Sequence, residues 1–125
     1  MKYQVSENVK SKFDALIKDE KVLKAVEFVK DDNDAIIDKQ IELTLIPAPT
    51  FHEQDKAARL LEMFKEEGLE DCHIDEYGNC VGIRKGTGGG KTTLVEGHLD
   101  TVFPLGTKLE IKKEDGFIKC PGICD

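Results

Sequence analysis

Thr92-Thr-Leu-Val-Glu-Gly-His-Leu-Asp-Thr-Val-Phe-Pro104 is the stretch on which the reading of this chain turns. Thr92 to Val95 are apolar or β-branched and predict a short central strand, with glycines before it and Gly97 closing it. His98 and Asp100 follow, two residues apart. In an extended backbone, residues i and i+2 point to the same side, so an imidazole and a carboxylate leave the strand end together. Such a pair suits a metal site, because a ligating histidine needs an acceptor on its second ring nitrogen to fix its tautomer and direction. The same spacing also suits an ordinary surface pair.

Working outward, Gly86-Thr-Gly-Gly-Gly-Lys-Thr92 imitates a phosphate loop. That motif needs a glycine where Lys85 stands and a helix after the lysine, and a strand is predicted there instead. Nucleotide binding is therefore not expected. No Gly-x-Ser-x-Gly occurs, and no cysteine and histidine carry a family signature of a nucleophile.

Downstream, Lys108 to Lys113 and Phe117 to Cys120 predict two extended segments joined at Glu114-Asp-Gly116, followed by Pro121-Gly-Ile-Cys-Asp125. Upstream, Asp71 to Glu76 and Asn79 to Arg84 predict a hairpin turning at Tyr77-Gly-Asn79. His73 falls in its first strand and reads as a surface residue.

The first half is helical. Val9, Phe13, Leu16 and Ile17 share one apolar face, and Val22, Ala25, Val26 and Val29 resume it after a phase slip across Lys18 to Lys21. Two short helices or one bent helix satisfy this pattern, with packing as the expected role. A further helix is predicted from Asp34 to Leu45, stopped by Pro47 and Pro49. Thr50-Phe-His-Glu53 has capping-box spacing and should open a helix running to about Glu67, with Gly68 as its stop. His52 would lie in its first turn as an exposed or capping side chain.

The strand-end pair, the Pro121 to Asp125 turn and the Ile41-Glu-Leu-Thr-Leu-Ile-Pro-Ala-Pro-Thr50 segment together resemble the dizinc exopeptidase and amidohydrolase family, which includes peptidase T, aminoacylases, succinyl-diaminopimelate desuccinylases and glutamate carboxypeptidases. In that family His-x-Asp at a strand end is followed, some tens of residues on, by Asp-Gly, a short strand, a glycine turn and an aspartate. The resemblance implies that His98 is a terminal ligand of one zinc, Asp100 its orienting partner at the catalytic centre, and Asp125 the carboxylate bridging two zinc ions. It implies hydrolysis of a peptide or N-acyl amide bond by a metal-bound water, and leaves room for a homodimer in the intact enzyme. The family's general-base glutamate and remaining ligands lie beyond the bridging aspartate. The 125 residues are thus expected to form the leading part of one catalytic domain, residues 1–48 a helical leader and 49–125 the first helix and strands of the metal-site core. The implied fold is α/β, with N-terminal helices followed by a mixed sheet. One histidine and one shared aspartate fall short of the three protein ligands usual per catalytic zinc, so the chain alone should bind zinc weakly and turn over nothing. The alternative is a non-catalytic α+β interaction module that keeps the fold.

Composition narrows the partners. Eighteen basic against twenty-five acidic residues give a net charge of −7, which disfavours nucleic-acid phosphates and anionic membranes. With no apolar leader or spanning run, a cytoplasmic location with reduced thiols is expected. Cys120-x3-Cys124 has tolerable zinc-knuckle spacing, but seven residues separate Cys72 from Cys80, so a four-cysteine zinc site is not expected. Free thiols are expected, with a Cys72–Cys80 disulfide across the hairpin as the alternative.

Overall fold

The computed structural model describes residues 4–124. It is mixed α/β: four helices followed by two two-stranded antiparallel sheets among the described residues. The chain divides into two compact units, Met1–Asp38 and Lys39–Asp125.

In the first unit the phase slip resolves as a break between two helices. Helix α1, Glu7–Leu16, is capped by Ser6, whose hydroxyl accepts from the Val9 amide at 3.4 Å. Helix α2, Glu20–Asp31, starts at Asp19, which has an extended backbone and a carboxylate that accepts from the Lys21 and Val22 amides at 2.8 and 3.2 Å. Capping by Asp19 satisfies amides that a continuous helix would have bonded internally, so the slip becomes a new start. No described residue of α1 or α2 is buried; Val9, Phe13, Leu16, Leu23 and Phe28 all stay exposed. The packing face read from periodicity is present as a stripe, but it is not covered among the described residues.

Helix α3, Asn33–Thr44, carries the chain through the unit boundary. Thr44 is buried, and its hydroxyl donates to the Gln40 carbonyl at 2.7 Å, which satisfies a polar group largely removed from water. Helix α4, Gln54–Glu66, buries Ala57 and Met63, which with Ala48 form the small apolar core. It begins three residues later than the sequence predicts, with Glu53 in place of Thr50 at the N-cap, and His52 precedes it rather than lying in its first turn. Its far end is a Schellman motif. Gly68 sits at φ +71, its amide donates to the Lys65 carbonyl, and the Leu69 amide donates to the Phe64 carbonyl, both at 3.0 Å.

Strands β1, Glu70–Ile74, and β2, Cys80–Ile83, pair antiparallel and pack on α4. Their register slips between Glu70 and His73, where Asp71 takes φ +51. Asp75 builds the turn: its Oδ1 accepts from the Tyr77 and Asn79 amides, each at 2.9 Å. Strands β3, Lys112–Glu114, and β4, Phe117–Lys119, form the second hairpin. Asp115 and Gly116 join them, both at positive φ, as a tight two-residue turn requires.

The central strand predicted at Thr92 to Val95 does not form. Leu94 and Val95 are 80 and 89 % exposed. A strand exists only when a neighbour takes its amides and carbonyls, and among the described residues no ladder includes positions 92–95. The parallel pairing that would make the sheet mixed is reduced to one isolated bridge, Pro49 to Thr101. No helix of the described residues is long and apolar enough to cross a membrane.

Candidate functional site

The isolated bridge is what builds the site. Pro47 and Pro49 stiffen the chain leaving α3, and Ala48 between them is 1 % exposed. The Ala48 carbonyl accepts from the Thr101 amide at 2.7 Å, so residues 47–53 lie beside residues 98–101.

Across this seam the Thr50 hydroxyl donates to Asp100 Oδ2 at 2.6 Å. The other carboxylate oxygen, Oδ1, lies 3.2 Å from His98 Nδ1, and the Asp100 backbone carbonyl lies 2.8 Å from the same nitrogen. Two acceptors therefore converge on Nδ1. They favour the tautomer with its proton there, which makes Nε2 the lone-pair nitrogen that can ligate. The Thr50 hydrogen bond holds the Asp100 carboxyl below the usual carboxylate range, against partial burial, and His98 adds to the lowering. The imidazole is 58 % exposed and the carboxylate 34 %. His98 and Asp100 thus meet as the sequence predicts, with Asp100 on the Nδ1 side of the ring.

Thr50 is the residue that the sequence reading misassigned. The capping box does not close, since α4 has no side-chain cap hydrogen bond. Glu53 Oε1 instead accepts from the Phe51 amide at 2.7 Å, and Phe51 takes φ +70. That left-handed kink accompanies the diversion of the Thr50 hydroxyl from its local amide to a partner fifty positions away. Only the hydroxyl itself signals this in the sequence, and a hydroxyl before a helix reads first as a cap.

Asp125 lies outside the described residues. The turn that precedes it is anchored at two points. Gln40 Nε2 donates to the Ile123 carbonyl at 2.6 Å. Gly122, at φ +80, lies so close to Thr101 that a β-carbon there would stand 3.3 Å from Thr101 Cγ2. The Pro121 to Cys124 segment therefore packs next to the residue after Asp100.

Of the donor types that ligate zinc, this seam places one imidazole and one carboxylate side by side. Among the described residues no group of three or more His, Cys, Asp or Glu side chains is arranged to hold a metal ion. Cys72, Cys80 and Cys120 are half-buried free thiols, and Cys124 is an exposed one. His73 is exposed, its Nδ1 2.7 Å from the Asp71 carbonyl. No helix follows Lys91, so the glycine-rich segment lacks the helix N-terminus that a phosphate loop requires. A hollow of about 660 Å³ is lined by the β3–β4 hairpin and its flanks, from Lys108 to Ile123, and not by Thr50, His98 or Asp100.

No family model matches the chain. Over 84 residues, 67 % of this chain, it is 33 % identical to a protein of Thermococcus kodakarensis that carries the provisional name LysW-lysine/LysW-ornithine hydrolase. Over 61 residues, 49 % of this chain, it is 38 % identical to a protein of Pyrococcus abyssi with the same provisional name. The matched regions span 23 and 17 % of those two relatives. The chain is therefore similar, over part of its length, to a small portion of two proteins provisionally named as hydrolases.

Proposed function

We propose that this chain is the N-terminal portion of the catalytic domain of a zinc-dependent hydrolase that cleaves a peptide or N-acyl amide bond. His98 would be a terminal ligand of one zinc through Nε2, Asp100 would orient it, and Asp125 would bridge two ions. The observation that carries this reading is the acceptor pair on His98 Nδ1, because an imidazole oriented in this way presents its other nitrogen for ligation. Similarity to two hydrolases supports the reaction class.

Within this scheme the chain's own residues bind and orient. Asp100 keeps the proton on Nδ1 and stabilises a ring that gives its Nε2 lone pair away. Thr50 occupies the outer carboxylate oxygen. When bound, a zinc pair supplies Lewis-acid polarisation of the scissile carbonyl and lowers the pKa of a water. The general base and the remaining ligands come from sequence outside these 125 residues, so the chain by itself turns over no substrate.

Zinc titration by calorimetry of the chain and of its His98→Ala variant tests the ligand assignment. Weak binding that disappears in the variant is the expected result; binding unchanged by the substitution refutes the assignment. Hydrolysis of N-acyl amino acids and dipeptides by the full-length protein, abolished by His98→Ala, tests the reaction class. A second reading is a non-catalytic interaction module, favoured by the exposed apolar stripe of Val9, Phe13 and Leu16 on α1. It predicts that the full-length protein with zinc hydrolyses neither substrate class.

A further inference from the structure

We infer that Thr50 is a positioning residue for the His98 imidazole: its hydroxyl clamps the outer oxygen of Asp100, and Asp100 in turn sets the tautomer and direction of the ring. The inference rests on the proposed metal-ligating role of His98. A carboxylate held at one oxygen can swing about its terminal torsion, which has a broad energy profile. Asp100 is held at both, by Thr50 at 2.6 Å and by His98 at 3.2 Å. The hydroxyl is brought there by backbone and not by chance rotation. The Thr101 amide on the Ala48 carbonyl holds the two segments side by side, and Phe51 at φ +70 interrupts the helical path between Thr50 and α4. Glu53 serves the Phe51 amide at the same time, so the local cap that would compete for Thr50 is absent.

Thr50 is exposed, so both substitutions used to test it should leave the fold intact. Thr50→Val keeps the shape and removes the donor; Thr50→Ser keeps the donor. In the metal-free 125-residue chain, the nitrogen-15 shifts of the His98 ring report the tautomer directly. The wild type should show mainly the Nδ1–H form, Thr50→Val a several-fold shift toward Nε2–H, and Thr50→Ser the wild-type pattern. Zinc affinity measured on the same samples should fall about tenfold in Thr50→Val and hold in Thr50→Ser, as for other outer partners of metal ligands. A Thr50→Val ring with wild-type tautomer populations overturns the inference. Zinc binding that is indifferent to His98→Ala overturns the metal reading instead, and leaves the tautomer test of Thr50 standing.

Discussion

Replacing Gly82 with alanine adds one methyl group at the tightest point between helix α4 and the β1–β2 hairpin. The new carbon would stand 2.8 Å from Leu69 Cδ2, 2.9 Å from Phe64 Cδ2 and 3.3 Å from Leu69 Cβ. The first two are ends of half-buried side chains that can rotate only where their neighbours give way. The third sits on the backbone and can yield only if the chain moves. Forcing an extra methyl into such a site costs roughly 1–3 kcal/mol. Alanine also restricts the unfolded chain, which returns about 0.4–1 kcal/mol, because Gly82 is not at positive φ. The expected net loss is about 1–2 kcal/mol, a melting shift of roughly 5–15 °C for a unit the size of Lys39–Asp125. Thermal and urea unfolding followed by circular dichroism measures it, with Gly86→Ala as control, since a β-carbon there meets nothing within 4 Å. In a Leu69→Ala background the cost of Gly82→Ala should shrink, because the two positions share the clash. A Gly82→Ala protein that melts with or above the wild type, or a cost that does not change in that background, would refute this account of the packing.

Three further outcomes are expected. Arg59 hydrogen-bonds Glu42 and holds its carboxyl below the ordinary value of 4.5, so Arg59→Gln should raise the Glu42 pKa toward that value by carbon-13 titration. Because the folded pKa is the lower one, the associated stability is complete above about 4.5 and is lost as pH falls through the depressed value. Arg59→Gln should therefore lose less stability than the wild type on acidification through that window. Cys124 is exposed, whereas the Cys80 thiol is half-buried and pushed up by that burial. Alkylation followed by mass spectrometry should accordingly label Cys124 first and Cys80 much later. Asp75→Ala removes the acceptor of the Tyr77 and Asn79 amides, and both should exchange hydrogen faster, with little change along β3 and β4.

Much of the local structure was legible because its causes lie within a few residues of their effects. Asp19 caps α2 from two and three positions away, and Gly68 ends α4 by bonds within one turn. Asp115 and Gly116 turn the second hairpin between adjacent positions. The helix order, the two hairpins and the facing of His98 toward Asp100 follow from information of this range, whereas the slip near Lys18 fitted one bent helix as well as the two that form. The expected strand at Thr92 to Val95 had the right composition, yet β-propensity describes how well residues fit a sheet that exists already. It does not provide the neighbouring chain.

By itself, then, the sequence determined the order of the helices, the stop of α4 at Gly68, where hairpins turn, and that an imidazole and a carboxylate two residues apart would meet. The tertiary structure alone decided that Thr50 abandons its helix for Asp100, and that Thr92 to Val95 remain outside any ladder. A cap or a turn is chosen among donors and acceptors a few bonds apart. A hydroxyl fifty residues from its carboxylate, or a strand awaiting a partner, finds its hydrogen bonds only after the backbone between has been folded.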